Sequence, residues 1–381
     1  MPSLSSEPSS KLVLRLGRTC YELVRTLGLA RHGELFLARR RVDQRFGGYS
    51  LIKRSLPSAE AQRRLLDEAR VIAQLSHPNI PGFHHLESQG EGPLLIQEHV
   101  SGFRLEGLLL ASERAHQPLS EAFACYVIAE VAEALHHAHT SCDEDGRELG
   151  IVHRDVTPYN IFIGDHGEVQ LLDFGAAWSR LSERAGTEGP AFQGSLAYAA
   201  PELVRKTALD GRADQFSLGI VLLQLLTGRH LFEGAERFDA RQRQAQCHED
   251  GATRQYAQEL SRRIRDYSEE ELRQATRAVS VALEPIVRRA LAPDWAERFE
   301  SCAALAHALR AHLRSTQESF GRHEVLAELA ALRYVALRVA AGESPEEAVR
   351  ERMLPEPGHR PIYRVLTSRL SSRLRRSPRR R

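Results

Sequence analysis

The sequence predicts an α+β chain in which a small β-rich part precedes a larger helical part. Two observations carry this. Up to about residue 100, short apolar runs are punctuated by glycines, the pattern of hairpin-linked strands, with a single helical segment among them. Beyond that point apolar residues recur every three or four positions, the period of helices with one buried face. With 381 residues and 42% hydrophobic content, the chain has apolar material for two or three compact lobes.

The elements follow in order. Residues 1–19 open with a Ser- and Pro-rich stretch that lacks the charged start and apolar core of a signal peptide, and are expected to be a disordered leader. Strands are expected around residues 21–24 and 34–38, separated by Gly28, Gly33, Gly47 and Gly48. Leu65, Ala69, Ile72 and Leu75 lie at helical spacing within residues 59–76, and Pro78 closes that helix. A strand at Leu94, Leu95 and Ile96 precedes Ser101-Gly102. Phe123, Val127, Ile128, Val131, Leu135 and Ala138 then trace one face of a long helix. Short strands at residues 161–163 and 169–172 follow, and helical patterns dominate from Pro201 to Gln317. Residues 323–341 read as an amphipathic helix, 342–361 are broken by prolines, and the last nine residues hold six arginines. No internal repeat is present.

Composition narrows the classes of function. All but three of the 52 basic residues are arginine, the lysines being Lys11, Lys53 and Lys206, so a lysine inside a motif stands out. The five cysteines are odd in number and far apart, which argues against a disulfide framework or zinc site and fits a reducing cytoplasm. No segment approaches the ~18 apolar residues of a membrane span. The net charge is +2, with the basic character concentrated in the tail.

His153-Arg154-Asp155-Val156-Thr157-Pro158-Tyr159-Asn160 fits H-R-D-x-x-x-x-N, and Asp173-Phe174-Gly175 follows thirteen residues after Asn160. On these two motifs the chain resembles the eukaryotic-type serine/threonine protein kinases, in the form also found in bacteria. The resemblance covers roughly residues 20–317 and implies a two-lobed protein-kinase fold, with an N-lobe at 20–100 and a C-lobe at 101–317. Residues 318–381 would be a helical extension ending in the Arg-rich tail.

Phosphoryl transfer needs a metal cage, a charge clamp and a positioned nucleophile, because negative charge spreads over phosphate oxygens in the transition state. The resemblance implies ATP with Mg2+ or Mn2+ in the cleft. Asn160 and Asp173 would be the metal ligands, and Asp155 would orient the substrate hydroxyl and accept its proton. Lys53, in Ser50-Leu51-Ile52-Lys53, stands in the place of V-A-I-K and would bind the α and β phosphates while pairing with Glu68. Asp67 is the neighbouring alternative for that pairing.

Leu27, Gly28, Ala30, Gly33 and Leu35 resemble the glycine-rich loop over the phosphates, with Ala30 in place of the middle glycine. An ordinary hairpin turn reads equally well there. Glu98 and Val100 would supply backbone groups to the purine, Gln97 would be the gatekeeper, and Phe162 with Leu35 would sandwich the ring.

Gly194-Ser195-Leu196-Ala197-Tyr198-Ala199-Ala200-Pro201-Glu202 resembles the Ser/Thr form of the substrate platform, with Glu202 paired to Arg298. Asp214 would brace the catalytic loop. Thr157 replaces the usual lysine, and with Ala30 and Leu51 it motivates the alternative of a pseudokinase scaffold. The expected partner is a protein substrate, including the chain itself at Ser179, Ser182 or Thr187 of the activation segment. The arginine tail is either a solvated end or a contact for an anionic partner. His136, His137 and His139 share one helix, but their spacing splits them over its surface and argues against a metal site.

Overall fold

The structure is a computed structural model and describes residues 13–340, apart from 31–32, 90–91, 182–193, 208, 245–250 and 317–318. Ser182, Thr187 and the arginine tail therefore lie outside the described residues. A six-stranded antiparallel sheet has the order β1-β2-β3-β4-β6-β5. Its strands are β1 (Val13–Leu16), β2 (Thr19–Ala30), β3 (Gly33–Val42), β4 (Arg45–Ser55), β5 (Phe83–Gln89) and β6 (Gly92–Glu98). One helix, α1 (Ala59–Ile72), lies between β4 and β5, its N-terminus capped by Ser58, whose hydroxyl accepts the Ala61 amide. The sheet thus begins at Val13, earlier than the expected leader boundary at residue 20, because residues 13–16 pair with 19–22 as a hairpin.

Alternation along β4 decides what each face of the sheet does. Ile52 points to a small core with Tyr21, Ala38 and Ile96. Leu51 and Lys53 point to the opposite face, and cross-strand register places Leu35 opposite Lys53 and Gln97 opposite Leu51 on that same face.

A three-stranded sheet, β7-β8-β9, follows, made of β7 (Gly102–Arg104), β8 (Ile161–Gly164) and β9 (Val169–Leu171). Between β7 and β8 lie α2 (Leu105–Ala115) and α3 (Glu121–His139). The remainder is helical: α4 (Pro201–Arg205), α5 (Arg212–Thr227), α6 (Ala235–Gln244), α7 (Gly251–Arg265), α8 (Glu269–Ala275), α9 (Glu284–Ala290), α10 (Cys302–Ser315) and α11 (Arg322–Ala340). Helix α5 is buried from Ala213 to Leu223, and its polar Asp214, Gln215 and Ser217 are hydrogen-bonded there. Helix α3 packs against both α5 and α10, and one continuous core runs from Leu65 and Ile72 of α1 through α3 and α5 to α10.

That core does not stop at residue 317. Val325, Leu329 and Leu332 of α11 are buried in it, and Glu328 accepts hydrogen bonds from the Ser120 amide and hydroxyl at 2.6 and 2.7 Å. The extension expected from residue 318 is therefore, as far as Leu332, a layer of the helical lobe, because its apolar stripe has the α2 face to cover. Among the described residues, no helix is long and apolar enough to cross a membrane.

Candidate functional site

Lys53, Glu68 and Asp173 come from β4, α1 and the turn after β9, and they meet. Lys53 Nζ lies 2.6 Å from Glu68 Oε2 and 3.1 Å from Asp173 Oδ1. Glu68, not Asp67, is the partner; Asp67 pairs along its own helix with Arg70. Lys53 and Glu68 are 7% and 3% exposed. Burial opposes the charge on Lys53, but the Asp173 and Glu68 carboxylates outweigh it and hold its pKa above the usual lysine value. Burial also opposes the Asp173 carboxylate, which Lys53 and the Gly175 amide nevertheless hold below the usual aspartate range. Burial, reinforced by Asp173, outweighs Lys53 at Glu68 and pushes its carboxyl up to about 7.

Asp155 and Asn160 form a second cluster in the loop before β8. Asn160 Nδ2 donates to the Asp155 carbonyl at 2.8 Å and to Asp155 Oδ2 at 2.9 Å. The Ser195 amide donates to Asp155 Oδ1 at 2.8 Å.

The loop itself is tied down from α5. Asp214 Oδ2 accepts the His153 amide at 2.7 Å and Oδ1 the Arg154 amide at 2.8 Å, while His139 Nε2 lies 2.8 Å from Oδ2. Burial disfavours the Asp214 carboxylate, but His139 and the loop amide outweigh it and keep its pKa below normal. Two non-glycine residues of this region, Arg154 and Asp173, have φ of 62° and 64°. Such left-handed backbone is costly away from glycine and clusters where surrounding bonds over-determine it, as the Asp214 and Gly175 bonds do here.

The remaining expected residues are more loosely gathered. Gly28 and Leu35 pair across β2 and β3, as do Ala30 and Gly33. Gly33 packs so closely on the Arg54 carbonyl that a Cβ there would stand 2.4 Å from it, so this glycine serves the contact between β3 and β4. Leu27 is exposed. Glu98 donates its amide to the Gly82 carbonyl at 2.8 Å, and Val100 follows the end of β6, half-buried. Phe162 is half-buried on β8, opposite Arg104 and Gln170.

The donor set fits a nucleotide and a divalent cation. Asp173 remains ionised, and its side chain is 40% exposed. Asn160 uses its amide nitrogen on Asp155, and its Oδ1 accepts no hydrogen bond from the described residues. One carboxylate and one amide oxygen are the hard ligands that magnesium-sized ions take. On the same sheet face as Lys53, the Oε1 atom of Gln97 is buried without a hydrogen-bond partner among the described residues, as an acceptor facing a ligand would be.

Several expectations resolve at this level. The Glu202 and Arg298 pair is present and bidentate, at 2.6 and 3.0 Å. Ser179 is fully buried, so it is not the exposed phosphoacceptor expected of a loop serine; the bridge between Val152 and Trp178 draws this segment into the lobe. Two of the three histidines on α3 have separate partners. His137 stacks on His77, His139 binds Asp214, and among the described residues no three His, Cys, Asp or Glu side chains gather as a metal site. Sequence reasoning missed the role of His139 and the contact of Ser195 with Asp239 of α6. The spacing of His139 from a buried aspartate is a tertiary fact, and Asp239 lies in a stretch with no motif.

Comparison with known proteins places this geometry. A family model described as the protein kinase domain matches residues 21–309. Tyrosine-protein kinase MasK of Myxococcus xanthus is 33% identical over 211 residues, covering 54% of this chain and 32% of MasK. Serine/threonine-protein kinase PknJ of Mycobacterium tuberculosis is 32% identical over 299 residues, 77% of this chain and 45% of PknJ. The crystal structure of the Mycobacterium tuberculosis PknI kinase domain aligns with a TM-score of 0.48 and 25% identity, over 77% of this chain and 95% of that one. The matched region spans less than half the length of these two curated relatives.

Proposed function

Because the chain belongs to the protein kinase family, we propose that it transfers the γ-phosphoryl group of ATP to a serine or threonine hydroxyl of a protein. The observation that carries this is the meeting of Lys53, Glu68 and Asp173 beside a loop that fixes both carboxylate oxygens of Asp155.

Each residue has a defined task in that reading. Lys53, held straight by Glu68, neutralises the α and β phosphates. Asp173 and Asn160 hold the divalent cation, for which magnesium or manganese is the choice. When bound, the cation supplies charge neutralisation across the phosphates. Asp155 orients the substrate hydroxyl and accepts its proton; with one oxygen held by Asn160 and the other by Ser195, the carboxylate has little rotational freedom to lose. The sheet face bearing Leu35, Leu51 and Gln97 covers the purine, with Phe162 beneath it, Glu98 and Val100 at its edge, and Leu27, Gly28, Ala30 and Gly33 over the phosphates. Serine/threonine preference rests on the residues 194–202 and on PknJ, whose name states that specificity; the name of MasK states the other.

The test is transfer from labelled ATP with magnesium to the chain itself and to a generic protein, followed by identification of the phosphorylated amino acid. Asp155→Asn is expected to reduce transfer by about 10²- to 10⁴-fold, the usual contribution of a positioned base. Equal transfer by both proteins would sink the proposal, and phosphotyrosine alone would sink its specificity.

A further inference from the structure

The residues before α4 lie directly on the loop that carries Asp155. Gly194 has a φ of 108°, and a Cβ on it would stand 2.2 Å from the Arg154 carbonyl oxygen, so only glycine permits this approach. The next amide, that of Ser195, is the donor to Asp155 Oδ1 at 2.8 Å. The Ser195 hydroxyl turns away from the loop and donates to Asp239 Oδ1 on α6. Both partners are buried, each 8% exposed. Helix α6 packs on the turn of residues 196–198 that follows Ser195.

A carboxylate withdrawn from water is costly unless hydrogen-bonded, and a hydroxyl bonded to an ionised oxygen is held roughly twice as strongly as one bonded to a neutral acceptor. From this we infer that Asp239 is a positioning residue for phosphoryl transfer. It fixes Ser195 from outside, and the Ser195 amide in turn fixes the carboxylate of Asp155. Thr157, buried in the same loop, brings no charge there, and hydrogen bonds from Asn160 and Ser195 hold the two oxygens of Asp155. The inference rests on the kinase reading and adds a residue outside its motifs.

The experiment compares Asp239→Asn, Ser195→Ala and the double variant of the full chain. Its readouts are kcat for protein phosphorylation, the Kd for ATP by nucleotide titration, and Tm. Asp239→Asn is expected to lower kcat by about tenfold or more while the Kd for ATP stays within about twofold, since misplacement of a reacting group costs rate rather than nucleotide binding. The double variant is expected to be no slower than the slower single one, because both residues act through one chain of bonds. Asp239→Glu, which keeps the charge but shifts the carboxylate by one methylene, is expected to lower kcat with little change in Tm. A kcat within about twofold of wild type for both Asp239 variants, or losses that multiply in the double variant, would overturn the inference. Absence of transfer by the wild-type chain would remove the kinase reading instead.

Discussion

Lys53 stands between two carboxylates, one buried and one open to solvent, so three ionisable groups share one surplus negative charge. Asp173 keeps its charge, and Glu68, pushed up to about 7, is the member that takes a proton first. The sign follows from linkage. Between about pH 4.5 and 7 the folded chain binds a proton at Glu68 that the unfolded chain has released, so this group's contribution to stability declines as pH rises through that window. Asp173 acts oppositely, but only below its unfolded value near 4. Denaturant unfolding of the nucleotide-free wild type and of Glu68→Gln is expected to show wild type losing about 1 to 3 kcal/mol relative to the variant between pH 5 and pH 8. A difference that stays flat over that range would show Glu68 to be ionised throughout. Glu68 was legible in the sequence because register with His77-Pro78-Asn79 fixes where α1 meets β4. The tie from His139 to Asp214 was not legible, since nothing in a histidine's spacing reveals which buried aspartate it will face.

At the scale of elements, what the sequence reveals depends on whether a pattern is local. The buried stripes of α1 and α3 have helical period and were readable, although α1 ends at Ile72 rather than near residue 76. There the helix tightens: the amides of Gln74 and Leu75 bond three residues back, to Val71 and Ile72. Strand β7, three residues long, is too short to show alternation. The link between α4 and the loop before α10 was readable only as a pair of motifs, and its strength is tertiary. Arg298, 2% exposed, binds both Glu202 oxygens and also donates to the carbonyls of Ala292 and Arg212 at 2.9 and 2.8 Å. Replacing one partner strands the other charge in the core. Arg298→Met is therefore expected to cost about 3 to 5 kcal/mol in denaturant unfolding, and Glu202→Leu added to it to restore much of that loss. If the double variant is as unstable as the single one, the carbonyl bonds of Arg298, not the ion pair, hold α4 in place.

For the whole molecule the open matter is where the folded unit ends. The kinase family match stops at residue 309, yet the core continues into α11. Glu328 binds the amide and hydroxyl of Ser120 where α3 begins, adding a negative charge at a helix N-terminus where the dipole favours one. Leu329, beside it, is 4% exposed, and the Arg333 guanidinium lies 5.2 Å from the ring centre of Phe103 on β7. Strand β7 follows directly on the β6 edge at Glu98 and pairs with the strand carrying Phe162, so α11 braces the ribbon beneath the proposed purine site. An extension that merely trailed from the lobe would tolerate substitution. An integral layer would not: Leu329→Ala is expected to cost about 2 to 4 kcal/mol through the cavity it leaves, and Glu328→Ala about 1 to 2 kcal/mol through the two lost charge-assisted bonds. Substituting exposed Ala330 by Ser is expected to change stability by less than about 0.5 kcal/mol. Thermal unfolding decides between the two pictures. In the integral case Leu329→Ala shifts the main transition that also reports on α3 and α5; in the other, that transition stays where it was and at most a separate early step moves.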